Sequence, residues 1–148
     1  MEFLGNKEIL NNYKVGFLCS RKVPANIILK TYDWAIEQRE KGVCVVSGFH
    51  SKIEKDVFHY LLKGTQPIIL VLARGLYKRI PAEFQKPLNE SRLLIISPFD
   101  KDVLRASSRT AYIRNKYILE ISDDVTIPYI SKDGLLSKIL SGRKYHFL

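Results

Sequence analysis

The sequence predicts an α/β fold in which helices cover both faces of a mainly parallel sheet of five or six strands. Short apolar runs alternate along the chain with segments of helical periodicity, which is the element order of a parallel sheet. The runs are apolar at nearly every position, as expected for strands that are covered on both faces. With 148 residues, the chain is long enough for one domain with a substantial core. We therefore expect residues 1–148 to form a single doubly wound, Rossmann-like domain.

The N-terminal part of the chain predicts a lead-in, a strand and a helix. Residues 1–12 form the lead-in, and residues 13–20 (YKVGFLCS) form the first strand. A helix then begins near Pro24, because the fixed φ of proline suits a first helical turn. It ends near Lys41, where Gly42 can supply the C-terminal cap.

The next strand and helix are the centre of the predicted site. Residues 43–46 form a buried strand that ends at Ser47-Gly48, and after a polar turn a helix begins near Lys52. Apolar residues four positions apart share one face of this helix: Ile53, Val57 and Leu61. The free N–H groups and the dipole at the start of such a helix favour an anion.

The rest of the chain continues the alternation of strands and helices. Strands are predicted at residues 67–73, 92–97 and 125–130, with a short last strand at 145–148. Helices are predicted at residues 81–88, 100–122 and 133–140, the second with a break near Ser107-Ser108. We find no repeat, linker or low-complexity segment.

The composition favours an anionic partner. The net charge is +9, which biases the protein toward nucleic acid or phosphorylated ligands, although positive charge can also serve solubility alone. Cys19 and Cys44 lie in apolar strands, so we expect buried free thiols rather than a disulfide or a zinc site. The sequence begins without a signal peptide and contains no membrane-spanning run, so we expect a cytoplasmic protein without membrane contact.

The loops that follow the strands hold the candidate binding residues. In a doubly wound sheet these loops converge at the carboxyl edge. Their hydroxyl, backbone N–H, cationic and aromatic groups suit phosphate binding and base stacking. The candidates are Ser20, Arg21, Lys22, Ser47, Gly48, His50, Ser51, Arg74, Gly75, Ser97 and Phe99.

A second candidate stretch covers residues 105–116. Its cations alternate with hydroxyl, amide and aromatic side chains: Arg105, Ser107, Ser108, Arg109, Tyr112, Arg114, Asn115 and Lys116. This pattern suits contact with a nucleic-acid backbone. The alternative interpretation is a solvent-exposed helix face, which has the same composition.

The usual catalytic signatures are absent from the sequence. There is no G-x-G-x-x-G after the first strand, no P-loop and no G-x-S-x-G elbow. His50 could act as a general base or be a hydrogen-bonded loop residue. Glu54 could cap its helix, hold a ribose hydroxyl or orient His50. We therefore assign no catalytic residue, no metal ligand and no cofactor.

Several stretches match motifs of a known family. They are residues 15–21 (VGFLCSR), Ser47-Gly48, Ile53-Glu54 and residues 114–123 (RNKYILEISD). Residues 48–55 (GFHSKIEK), 73–76 (ARGL) and 91–99 (SRLLIISPF) match a compact branch of the same family. With these motifs the chain resembles the DNA-processing protein A (Smf) family, within the broader group of Rossmann-like nucleotide-sensing domains.

The resemblance implies a binding function. In the family, the positions matching Ser20, Arg21, Ser47, Gly48, Arg114 and Asn115 line a pocket for nucleic acid or a nucleotide. The family binds single-stranded DNA and helps load recombinase during transformation, without an established catalytic turnover. Residues 129–134 (YISKDG) hold one glycine where relatives have a glycine-rich phosphate loop, which argues against phosphoribohydrolase activity.

Three functional hypotheses follow. The first is a module that binds single-stranded DNA through a basic rim at the carboxyl ends of the strands. The second is a nucleotide-processing enzyme with His50 and Glu54 as acid–base groups, and the third is a nucleotide-sensing domain. The partner is therefore single-stranded DNA or a nucleotide, and the sequence leaves a homo-oligomer open.

Overall fold

The computed structural model describes residues 1–132, 134–140 and 142–148. Six strands form one sheet: β1 (Glu2–Gly5), β2 (Lys14–Phe17), β3 (Cys44–Ser47), β4 (Ile68–Val71), β5 (Leu93–Ser97) and β6 (Asp124–Thr126). Five α-helices accompany them: α1 (Ala25–Lys41), α2 (Lys52–Leu62), α3 (Ala82–Asn89), α4 (Ser108–Ile121) and α5 (Leu135–Ile139). The strand order is β1-β5-β4-β3-β2-β6, and every pairing except β1 with β5 is parallel. The predicted α/β, Rossmann-like fold is confirmed.

The N-terminal segment differs from the predicted lead-in. Glu2–Gly5 is an antiparallel edge strand of the sheet, in which Phe3 lies opposite Ile96. Gly5 ends it with a φ of 105°, and a Cβ at this position would lie 2.3 Å from the carbonyl oxygen of Leu93. A 3-10 helix (Lys7–Asn11) follows. A strand of only four residues, none of them fully buried, has too short a hydrophobic pattern to be predicted from the sequence.

The helix predicted at residues 100–122 is shorter than expected. Residues 100–107 form an irregular loop with one turn at residues 101–102, and α4 begins only at Ser108. Ser107 caps it: its Oγ accepts a hydrogen bond from Thr110 N at 3.1 Å, and the Thr110 hydroxyl accepts one from Ser107 N at 2.7 Å. A capped start requires an extended residue at this position, so the helix cannot extend further toward the N-terminus.

The C-terminal elements are also shorter than predicted. The strand predicted at residues 125–130 is limited to β6, and the strand predicted at 145–148 is an isolated bridge between Thr126 and His146. The last helix covers Leu135–Ile139. Asp133, its predicted first residue, lies outside the described residues.

Apolar side chains form a core on each face of the sheet. Helices α1, α2 and α3 pack on one face through residues such as Trp34, Val57 and Phe84, and α4 packs on the other through Ile118. Ile53, Val57 and Leu61, for which the spacing predicts one shared helix face, are all buried on α2. Both cysteines are buried free thiols, as predicted, and burial raises the pKa of each to about 12. Within the described residues, no helix is long and apolar enough to cross a membrane.

The topology fixes where a ligand crevice opens. Strands β2 and β6 are neighbours, but the helix after β2 packs on one face of the sheet and the helix after β6 on the other. The loops therefore diverge between these two strands. In open α/β sheets, ligands bind at such a switch point, outside the carboxyl ends of the strands.

Candidate functional site

A cavity of about 710 Å³ opens at this switch point, and we call it the rim pocket. The loop after β2, the start of α2, the first half of α4 and the segment after β6 form its walls. Its polar and charged lining residues are Ser20, Arg21, Lys22, His50, Ser51, Glu54, Ser107, Ser108, Arg114, Asn115 and Ser131. The starts of α2 and α4 both line this space, together with three cationic side chains and the Glu54 carboxylate, which caps the first turn of α2.

Arg114 lies in the wall of the rim pocket, directly against Gly48. A Cβ at Gly48 would lie 2.3 Å from Nη1 and 2.6 Å from Cζ of Arg114. The guanidinium therefore occupies space that any larger residue would fill. Gly48 of the Ser-Gly motif and Arg114 of the Arg-Asn motif are distant in the sequence, but they are in direct contact in the structure.

The guanidinium of Arg114 is buried and only partly hydrogen-bonded. The residue is 6% exposed, and its Nε donates to Asn115 Oδ1 at 2.8 Å. Within the described part of the chain, Nη1 and Nη2 have no hydrogen-bond partner, and neither is sealed from the cavity. Burial lowers the pKa of Arg114, and the nearby Glu54 carboxylate opposes this shift. An arginine remains charged under these conditions, so its free donors are available to an anion.

The turn between β3 and α2 is held by Glu54. Its Oε1 accepts backbone hydrogen bonds from His50 N and Ser51 N, both at 3.1 Å, and the Ser51 hydroxyl caps Glu54 N. Phe49 adopts a φ of 44°, which is strained for a non-glycine residue, and its ring packs 4.9 Å from that of Phe58. Of the alternatives for Glu54, the structure shows the helix cap.

The His50 side chain lies at the opening of the site. No hydrogen bond joins its ring to another group among the described residues, so the structure forms no His50–Glu54 dyad there. Partial burial lowers the pKa of His50, and Arg114 lowers it further. Within the described residues, no group of three or more His, Cys, Asp or Glu could hold a metal ion.

Ser20 connects two loops at the switch point. Its Oγ accepts a hydrogen bond from Ser131 N at 2.9 Å, and its N donates to Tyr129 O at 3.1 Å. The hydroxyl thus fixes the segment after β6 against the loop after β2. Arg21 is exposed beside it and lines the rim pocket.

A second cavity of about 580 Å³ lies on the other side of Arg114, and we call it the aromatic pocket. Four aromatic rings line it together with charged groups: Phe49, Phe58, Tyr77, Phe84, Lys55, Arg74, Arg105, His59 and Glu83. His50, Ala106 and Arg114 line both cavities and form their shared wall. A ligand in one pocket is therefore next to the other.

Seven of the candidate binding residues lie outside both cavities: Ser47, Gly75, Ser97, Phe99, Arg109, Tyr112 and Lys116. Three of them stabilise loops. The Oγ of Ser47 accepts from Phe49 N at 3.2 Å, and that of Ser97 donates to Arg74 O at 2.6 Å. Gly75 allows a close approach, since a Cβ there would lie 2.3 Å from Asp100 O. Arg109 is exposed on α4.

The prediction also missed several residues that line the aromatic pocket. Lys55, Tyr77 and Glu83 come from the interior of α2, the loop after β4 and the start of α3. None directly follows a strand, so the rule that selected the other candidates could not find them. The sequence pattern that could have indicated this pocket is residues 74–79 (RGLYKR), where a tyrosine lies among basic residues.

Solved structures share this fold. The DNA-processing protein A of Helicobacter pylori, reported with a unique single-stranded DNA binding mode, matches with a TM-score of 0.74 and 21% identity over 94% of this chain. That of Streptococcus pneumoniae matches with a TM-score of 0.74 and 19% identity over 97%. The chain spans 64% and 52% of the length of these two proteins.

A more distant match is the molybdenum cofactor (Moco) carrier protein of Chlamydomonas reinhardtii, with a TM-score of 0.50, 9% identity and coverage of 92% of this chain and 88% of that one. At these low sequence identities, the structural similarities show only that the fold is shared.

A search of curated proteins finds no match. The family model of DNA recombination-mediator protein A matches residues 2–139. Because that match covers most of the chain, the protein belongs to the DNA recombination-mediator protein A family, the DNA-processing family that its motifs resemble.

Proposed function

We propose that this protein binds single-stranded DNA at the two joined cavities, with a phosphate group in the rim pocket. The observation that carries the proposal is the buried Arg114 guanidinium, whose two terminal nitrogens have no partner within the described residues. A largely buried cation with free donors favours an anionic acceptor, and a phosphate matches its planar fork. We also propose that residues 1–148 act as one domain, because a single sheet positions both cavities.

The charge around the two cavities supports a polyanion. Among the described residues, six cationic side chains line the two cavities: Arg21, Lys22, Lys55, Arg74, Arg105 and Arg114. Two carboxylates, those of Glu54 and Glu83, line them as well. A phosphodiester chain can contact several cations at once, whereas one mononucleotide phosphate cannot. The aromatic pocket beside the phosphate site suits an unpaired base, which single-stranded DNA offers and a duplex does not.

Fluorescence anisotropy with a labelled dodecathymidylate tests the proposal. We expect binding that weakens steeply with salt, with a slope of log K against log[salt] of about −2 to −4 for three to five phosphate contacts. A duplex of the same length and a thymidine monophosphate competitor serve as controls. Efficient displacement by the mononucleotide would contradict the proposal and favour a nucleotide-sensing pocket.

Binding should also strengthen in mild acid through His50. Its pKa is lowered by partial burial, Arg114, Lys55 and Arg21, and Glu54 alone opposes them. A bound phosphate brings negative charge to the same wall and raises this pKa, so the complex takes up a proton that the free protein lacks. Affinity therefore rises as the pH falls from neutrality through the pKa that His50 has in the complex. Anisotropy at constant ionic strength should show this rise, and His50→Asn should remove it. An unchanged pH profile in the variant would exclude His50 as the source.

A further inference from the structure

We infer, on the basis of the proposed function, that the aromatic pocket accepts one unstacked base and prefers guanine, with Glu83 and Arg74 as the groups that select it. The inference concerns which base occupies the cavity beside the phosphate site. It depends on the shape of the aromatic wall, on the two charged groups that border it and on the hydrogen-bonding edges of the bases.

Aromatic rings in contact with one another form part of the wall of the aromatic pocket. The rings of Phe58 and Phe84 lie 5.6 Å apart in an edge-to-face arrangement, and those of Tyr77 and Phe84 lie 6.0 Å apart. Phe58 and Phe84 are buried, so the packing of α2 against α3 fixes their positions. A cavity of about 580 Å³ with such a wall can hold a purine.

Arg74 supplies donors at the edge of this surface. Its Nε donates to Gly75 O at 3.1 Å, and its guanidinium lies 4.6 Å from the centre of the Tyr77 ring. These two contacts orient the group, and within the described residues its terminal nitrogens make no hydrogen bond. The result is a preoriented pair of donors beside the aromatic wall.

Glu83 supplies acceptors next to the same ring. It lies in the first turn of α3, and its Oε2 is 3.3 Å from Nε2 of His59, which steadies the carboxylate. Arg74, Tyr77 and Glu83 all line the aromatic pocket. Burial raises the pKa of Tyr77, Arg74 lowers it and Glu83 raises it. The donor pair and the acceptor pair therefore border one cavity.

Guanine matches this arrangement better than the other bases. Its N1–H and N2–H₂ groups are adjacent donors that a carboxylate can accept together, and its O6 and N7 are the acceptors that arginine prefers. Adenine, cytosine and thymine each present fewer adjacent donors to a carboxylate. A base that does not pair with Glu83 leaves the carboxylate with its His59 contact and gains no hydrogen bond there, so it binds less tightly than guanine.

The test uses dodecathymidylate with one central residue replaced by guanine, adenine, cytosine or hypoxanthine. We expect the guanine oligonucleotide to bind about 10-fold more tightly than dodecathymidylate, and the hypoxanthine one, which lacks the 2-amino group, to lose most of that gain. Replacement of guanine by 7-deazaguanine removes the N7 acceptor and tests Arg74. These comparisons use the unmodified protein, so they do not depend on a variant that folds.

Glu83→Gln should reduce the preference for guanine over thymine, measured as the ratio of the two affinities in the same variant, to less than about 3-fold. The ratio is the readout because the loss of a negative charge beside the cavities strengthens the binding of every oligonucleotide. Glu37→Gln is the matched control, because Glu37 is an exposed helix residue that pairs with Lys41 and lies outside both cavities. Equal affinity for all four central bases would overturn the inference. Absence of any binding to these oligonucleotides would instead overturn the proposed function.

Discussion

Arg114→Ala should weaken the binding of single-stranded DNA by about 2–5 kcal/mol, which is roughly 30-fold to several thousand-fold. The reason is the position of the guanidinium: the residue is 6% exposed and lines both cavities, and its terminal nitrogens have no hydrogen-bond partner among the described residues. A phosphate bound there would replace water with charge-assisted hydrogen bonds to a preoriented fork. Anisotropy titrations measure the loss, and the slope of log K against log[salt] should become less negative by about 0.7.

Arg109→Ala is the matched control for this variant. Arg109 lies on the same helix, and its replacement removes the same charge, but its side chain is exposed and lines neither cavity. We expect a loss of less than about 3-fold from Arg109→Ala. Equal losses in the two variants would show that net charge, and not the buried guanidinium, determines affinity. Arg114→Lys retains the charge without the planar fork and should fall between the two.

The sequence could predict the sheet and the edge at which the cavities open, because buried parallel strands have a strong apolar signature. It could not predict which polar groups at that edge face a ligand. Ser47 and Ser97 both end a strand, yet their hydroxyls bind the backbone of their own turns. A short polar side chain can bond to neighbouring backbone groups as readily as to a ligand, and only the turn geometry decides between them.

The sequence also could not predict which charged side chains are buried. Arg92 precedes an apolar strand, and the sequence pattern does not indicate that it is buried. In the structure it donates to the carbonyl oxygens of Leu61, Leu62 and Gln66 and so satisfies the last turn of α2. Arg114 is similar, because its burial depends on a glycine in another element. Such pairings arise from tertiary packing, which local periodicity does not encode.

Gly48→Ala should reduce DNA binding nearly as strongly as Arg114→Ala does, by about 2–4 kcal/mol, although it removes no charge. The added Cβ would lie 2.3 Å from Nη1 and 2.9 Å from Nε of Arg114, so the guanidinium must leave its position against the glycine. The residue has no positive φ, and all three close contacts are with a flexible side chain rather than with backbone. We therefore expect the free energy of unfolding to change by less than about 1 kcal/mol.

A double-mutant cycle separates this mechanism from a general disturbance of the loop. If the Cβ acts only by displacing the guanidinium, then Gly48→Ala should have almost no further effect in the Arg114→Ala background, where the space is empty. The coupling energy should then be nearly as large as the loss caused by Gly48→Ala alone. Additive losses would mean instead that the alanine changes the strained turn at Phe49 and His50. In that case the contact between Gly48 and Arg114 would not be what positions the guanidinium for DNA binding. The occurrence of the Ser-Gly and Arg-Asn motifs in one sequence would then not define the binding site.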